Sequence, residues 1–310
     1  MIGAVIGDIM GSRYEGLPST QIYVPENLWS GLCSYTDDTV LTAAVARWLM
    51  DGGDLGDHLY QLGNQHLHRG YGENFVRWLL SDPRPGAYGS WGNGAAMRVS
   101  PVVLWAQDEA ELLSLARESA AATHDHPQGL RGAQVAAWAM WQARQGMRPA
   151  EWMASIEAKF GYALSTFDAD AVRRRGMELE CETSVLSAIW AAGHGGSFAG
   201  TIEHVLSLGG DTDTNAAIAG PMAEALYGVP QADVDQAAGY FLHGDGVWEI
   251  FQRFHQHPRV QARYASWGQS IPVLAALPQL RVPAPRPSEG AASDPFDKFF
   301  ARRKTDQRLD

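Results

Sequence analysis

Only two cysteines occur in the 310 residues, Cys33 and Cys181. They stand far apart and in no CxxC spacing, so neither a disulfide framework nor a thiolate metal site is indicated, and a reducing compartment is the simple expectation. Positive charge is scarce as well: 24 lysines and arginines face 35 acids, a formal net charge of −11. That balance disfavours a broad electrostatic grip on nucleic acid or on an anionic membrane. A phosphate-bearing ligand would have to be held locally, by backbone N–H groups at helix starts, single arginines or bound metal ions. No stretch reaches the ~18 apolar residues of a membrane span, and the opening MIGAVIGD carries no basic segment. A cytoplasmic chain with no membrane partner is expected. Also missing are an HExxH pair, a serine elbow, a P-loop and a GxGxxG following a strand, so zinc proteolysis, α/β-hydrolase chemistry and the common nucleotide-binding folds lack support.

What is present is helical periodicity. From residue 36 onward apolar residues recur at three and four, as in Val40, Leu41, Ala44, Val45, Trp48 and Leu49, which marks one buried helix face. Similar stripes cover 108–122, 131–146, 149–160, 181–193, 197–208, 214–227, 231–242 and 246–256, with glycines at their ends as stops. No run alternates with period two for long, so the fold is expected to be all-α. Alanine and glycine crowd 131–143 and 214–225, where helix axes can approach closely, and Pro221 should bend its helix or mark a break. Composition does not shift before about residue 282. One compact multi-helix domain over 1–281 is therefore expected, followed by a Pro- and charge-rich mobile tail over 282–310, in which Phe296, Phe299 and Phe300 would dock on the body or a partner, or stay disordered.

Two segments repeat one grammar. Thr36-Asp37-Asp38-Thr39 stands where a helical stripe begins, and Gly209-Gly210-Asp211-Thr212-Asp213-Thr214-Asn215 precedes another. Read alone, each is an ordinary helix cap with acids favoured by the macrodipole. Read together, carboxylates beside threonine hydroxyls are the hard oxygen donors that Mg²⁺, Mn²⁺ or Ca²⁺ takes, with no sulfur or nitrogen to suit zinc. An EF-hand is excluded, because counting from Asp211 the sixth position is Ala216 and the twelfth Met222. If the two segments converged, four carboxylates would suit two ions about 3.5–4 Å apart. Three further segments have both a plain and a functional reading. Gly7-Asp8 through Tyr14-Glu15 is a capped helix start or a turn, or a source of a general base if Glu15 faces the metals. Trp91-Gly92-Asn93-Gly94 is a simple turn, or a close backbone approach to a ligand. Thr123-His124-Asp125-His126-Pro127 ends a helix, with a histidine serving as dipole partner or as ligand contact.

Taken in order, GDIMGSRYEG, TDDT, SWGNGAAMR, THDHPQG and GGDTDTNAA resemble the ADP-ribosylglycohydrolases, over about residues 1–230. Residues 70–78 are similar to the bacterial branch of that family. The resemblance implies an all-α fold with a dinuclear site of two Mg²⁺, or Mn²⁺, and cleavage of the glycosidic bond between ADP-ribose and a modified protein or small molecule, arginine being the expected acceptor. It places Thr36, Asp37 and Asp38 on one half of the metal site and Asp211, Asp213 and Thr214 on the other. Glu15, Asp38 and Asp213 become the catalytic set. Asp8, Gly92, Asn93, Gly94 and His124 become substrate-binding residues. Trp91 and Ala95 replace residues more usual in the family, a departure that touches binding preference. The alternative is an ADP-ribose-binding or antitoxin protein that blocks an ADP-ribosyltransferase partner, for which a complete ligand set is not needed. A two-metal phosphoesterase, which would release phosphate or nucleotide, is a further rival.

Overall fold

The computed structural model describes residues 1–277, and the expected tail at 282–310 lies outside them. Sixteen α-helices run through the described residues. The first half holds α1 Ile2–Ser12, α2 Asp37–Asp51, α3 Leu55–Gln65, α4 Glu73–Leu79, α5 Gly94–Met97, α6 Ser100–Trp105, α7 Glu109–Ala121 and α8 Pro127–Arg144. The second holds α9 Pro149–Phe160, α10 Ala169–Arg175, α11 Cys181–His194, α12 Phe198–Leu208, α13 Thr212–Tyr227, α14 Gln231–Ala238, α15 Val247–Gln256 and α16 Pro258–Ser266. Among the described residues there is no strand, only isolated bridges pairing Pro18 with Gly209 and Gly92 with Glu180. No described helix is long and apolar enough to cross a membrane. Cys33 and Cys181 are both buried and unpaired.

At the centre α1 lies along α13, the most extensive helix pair in the molecule. The cause is a glycine stripe. Gly3, Gly7 and Gly11 follow one another at four-residue intervals on one face of α1, and a Cβ on them would come within 2.4, 2.2 and 2.4 Å of the carbonyl oxygens of Gly220, Ala216 and Thr212. Backbone therefore meets backbone, as only glycine allows. This contact carries Asp8 to the start of α13. Around the pair pack α8, α11, α12 and α2. The helix α13 continues through Pro221, so the break that the sequence allowed there does not occur. Packing against α1, α8, α11 and α12 holds it on several sides, and this tertiary context outweighs the lost N–H.

Further along α13, Glu224 is a second organising point. Its carboxylate accepts from the Met1 ammonium at 2.6 Å, the Gly3 N–H at 2.8 Å, Arg144 at 2.5 Å and the Tyr264 hydroxyl at 3.2 Å, which ties α1, α8, α13 and α16 together. Burial alone would raise its pKa, but the terminal ammonium and Arg144 overcome that and hold it well below the usual carboxylate range.

Candidate metal centre and ligand cleft

Three backbone arrangements converge on one end of α13. The turn Gly209–Gly210 has φ of +73° and +79°, and a Cβ at either position would meet backbone at 2.5 Å, so the chain there needs glycine. Gly210 N–H donates to the Leu17 carbonyl and Gly16 N–H to the Gly210 carbonyl, which fastens the Glu15 turn beside Asp211. Meanwhile α2 starts at Asp37, capped by Thr36, whose hydroxyl accepts from the Asp38 N–H. The Gly92 bridge, built from Asn93 N–H to the Leu179 carbonyl and Cys181 N–H to the Trp91 carbonyl, sets the glycine turn opposite.

The two acid motifs meet. Asp8, Asp38 and Asp213 each place a ligand oxygen within 4.8 Å of the others, and Glu15, Asp211 and Asp213 do the same, with Asp213 shared. The Thr214 hydroxyl donates to Asp38 Oδ2 at 3.2 Å, joining the two helix starts directly. Asp38 Oδ1 and Asp213 Oδ1 are buried with no hydrogen-bond partner. Among the described residues no lysine or arginine forms an ion pair with any of these acids. Burial and mutual repulsion drive the carboxyls of Asp37, Asp38 and Asp213 well above their usual range and raise Glu15, while burial raises Asp211 against the hydrogen bonds it accepts. Asp8 is pushed up to about 6 by burial, against the hydrogen bonds it accepts. Orphaned oxygens, absent cations and convergent hard donors together fit divalent cations that take oxygen ligands.

The acids floor one end of a cleft of about 680 Å³. Glu15, Asp37, Asp38, Asp211, Asp213, Thr214, Gly92, Asn93, Gly94 and His124 all line it. Asp8 and Thr36 do not; they lie beneath. Asp8 is fully buried and accepts from the backbone and hydroxyl of both Thr36 and Thr39 at 2.5–3.2 Å, so it braces the start of α2 and offers an oxygen towards Asp38 and Asp213. Asp37 is half-buried on the wall and belongs to neither close carboxylate group. Both side-chain N–H donors of Asn93 are engaged, with Asp211 at 2.6 Å and Ser184 at 3.0 Å, which aims the Asp211 carboxylate.

Several lining residues were not singled out from the sequence. Arg98 is fully buried at the side of the cleft near His124, and Tyr88, Phe75, Met177 and Leu179 complete the walls. Trp91, Met177 and Leu179 are 50%, 44% and 53% exposed, large apolar side chains around a cleft whose floor is acidic. Arg98 closes the segment SWGNGAAMR, and its sequence neighbours do not mark it as buried. Its burial shows only once α7 has folded over it.

The sequence pattern of the ADP-ribosylglycohydrolase family matches residues 1–267. ADP-ribosylhydrolase ARH3 from Homo sapiens is 28% identical, over 77% of this chain and 88% of that protein. The Danio rerio ARH3 is 27% identical, over 74% and 82%. ADP-ribosylarginine hydrolase Tri1 of Pseudomonas putida is 23% identical, over 74% and 70%. A solved structure described as an ADP-ribosylglycohydrolase-related protein complex superposes with a TM-score of 0.65 at 26% identity, covering 85% of this chain and 95% of its own. The chain belongs to the ADP-ribosylglycohydrolase family of enzymes.

Proposed function

We propose that this member of the family is a divalent-metal-dependent hydrolase that removes ADP-ribose from a mono-ADP-ribosylated acceptor, arginine foremost, by cleaving the bond at the anomeric carbon. The observation that carries the reading is the buried set of convergent carboxylates without a cation partner at the end of an open cleft. Thr36, Asp37, Asp38, Asp211, Asp213 and Thr214 would hold two Mg²⁺ or Mn²⁺, with Asp8 bracing the set from below. Bound there, the ions would supply positive charge to anchor ribose hydroxyls and make a water more acidic.

The remaining steps fall to the chain itself. Glycosidic cleavage passes through an oxocarbenium-like state that needs a leaving group expelled and water delivered to one face. Glu15, exposed on its turn yet within 4.8 Å of Asp211 and Asp213, is placed to orient that water and take its proton, and its raised pKa suits a general base. The glycine turn Gly92–Gly94, with the Gly94 N–H as its free donor among the described residues, would let the diphosphate approach the backbone, while Asn93 holds Asp211. An acidic cleft favours a cationic leaving group, and the name of Tri1 specifies arginine. The substrate is then the product of an ADP-ribosyltransferase.

The test is release of free ADP-ribose from arginine-linked and serine-linked mono-ADP-ribosyl peptides, with Mg²⁺ and then with excess EDTA. Metal-dependent release from the arginine peptide is expected. Release from the serine peptide alone would overturn the acceptor, and tight ADP-ribose binding with no release from either would move the reading to a binding protein.

A further inference from the structure

Three residues beside the glycine turn form a directed chain. Arg98 Nη2 donates to the Thr123 hydroxyl at 2.8 Å and to the Ser119 carbonyl at 3.0 Å, and the Thr123 hydroxyl lies 2.7 Å from His124 Nδ1. Arg98 and Thr123 are wholly buried and His124 is 6% exposed. A hydroxyl has one proton to give. Arg98 is always a donor, so it occupies a lone pair of Thr123, and the proton of Thr123 has His124 Nδ1 as its only acceptor among the described residues. The reverse arrangement, with Nδ1–H donating, would strand a hydroxyl proton in a dry site, which is costly. Burial and the Arg98 charge also keep the imidazole neutral, its pKa lying well below the usual range.

We infer that Arg98 and Thr123 lock His124 as the neutral Nε2–H tautomer, making its outward nitrogen a fixed donor for a phosphate oxygen of the ligand. Among the described residues Nε2 has no hydrogen-bond partner, and the ring sits against the glycine turn: a Cβ on Gly94 would come 3.0 Å from it, a tight contact that glycine avoids. Arg98 supplies the reason for an anion. Its guanidinium makes no ion pair among the described residues, and Nε and Nη1 have no hydrogen-bond partner, so its charge is uncompensated behind the histidine. The cleft thus combines carboxylates suited to cations with a cation-backed donor. Arg98 and Thr123 act through His124 and are positioning residues. The identity of the ligand rests on the proposed function; the tautomer does not.

The full chain labelled with ¹⁵N-histidine gives the first readout, with His124 assigned by loss of its signals in His124→Gln. Between pH 6 and 8 the unliganded protein should show an unprotonated Nδ1 and a protonated Nε2. A protonated Nδ1, or an imidazolium, would overturn the lock. Calorimetry with ADP-ribose and Mg²⁺ gives the second. Thr123→Val should bind about tenfold more weakly, the equivalent of about 1.4 kcal/mol, and Thr123→Ser should restore affinity to within about twofold. Unchanged affinity in a folded Thr123→Val with parental helix content would overturn the coupling to ligand. If the parent protein binds no ADP-ribose, the proposed function falls, while the nitrogen pattern still decides the tautomer.

Discussion

Asp213 and Glu224 sit on the same helix, both buried, and their surroundings are opposite. Glu224 has every lone pair directed at a donor: the Met1 ammonium, the Gly3 N–H, Arg144 and the Tyr264 hydroxyl. Asp213 has another carboxylate on either side, an oxygen with no partner, and no cation in reach among the described residues. Burial opposes ionisation at both, and at Glu224 the positive charges overcome it, whereas at Asp213 the neighbours add to it. A buried charge that is fully paired holds a fold together; one left unpaired costs stability unless something else neutralises it. The difference marks Glu224 as architecture, and on the proposed function Asp213 would meet a ligand that brings positive charge.

The sharpest way to break this comparison is to exchange the outcomes of the two substitutions. Asp213→Ala should lower turnover of an ADP-ribosyl peptide by more than about a hundredfold, beyond the 10–100-fold typical of residues that merely orient ligands, and leave metal-free thermal stability unchanged or higher. Circular dichroism melts and a product assay read both. Glu224→Gln should do the reverse. Removing one partner of a buried pair destabilises by about 3–5 kcal/mol, which a denaturant titration would show, while turnover per folded molecule stays close to parental.

The pH dependence sharpens the contrast, because the signs differ. Asp8 is raised from 3.8 to about 6 on folding, so the folded state holds its proton longer. Its penalty is absent below pH 3.8 and complete above about pH 6, on the order of 3 kcal/mol. Glu224, depressed on folding, contributes stability that is present above its unfolded value of 4.5 and lost as pH falls below it. The Met1 ammonium, lowered from 8.0 to about 6 by burial, works the other way as pH rises, but Asp37, Asp38 and Asp213, held well above their usual range by burial and by one another, add to Asp8. Metal-free protein should melt at a lower temperature at pH 8 than at pH 5, and saturating Mg²⁺ should narrow that gap. A flat profile in EDTA would mean that burial does not hold these carboxyls protonated as described. The smallest effect concerns the scaffold that unites the two regions. Gly7→Ala forces a Cβ to 2.2 Å from the Ala216 carbonyl carried by α13, and overpacking of this kind costs about 1–3 kcal/mol. Both stability and metal affinity should drop, since the same contact delivers Asp8.

Much of this fold is readable from residue spacing, and the exceptions have physical causes. Stripes over 149–160, 181–193 and 197–208 foretell α9, α11 and α12 nearly residue for residue, because each shows one apolar face. The helix α1 shows none. In IGAVIGDIMG every residue is buried, so there is no polar face to give a period, and its glycines read as a turn. The short α4 and α5 are too brief for a stripe to register. In the site, Thr36, Asp37, Asp38, Asp211, Asp213 and Thr214 are legible as oxygen donors beside helix starts. Their meeting is not, since it depends on glycine contacts between α1 and α13 that spacing along the chain does not encode. Asp8 reads as one acid among glycines, and only its four hydrogen bonds to Thr36 and Thr39 reveal it as the brace beneath α2. Arg98 is hidden for the same reason: its sequence neighbours do not announce the helix that covers it.

The central claim is that the unpaired acids at the start of α13 await divalent cations, and the most direct test is equilibrium binding of Mn²⁺ followed by electron paramagnetic resonance. The account predicts two ions bound per chain, magnetically coupled by their proximity, with coupling lost in Asp213→Ala, the residue common to both carboxylate groups. Binding of Mn²⁺ to the parent and Asp213→Ala chains alike, or no binding to either, would contradict it.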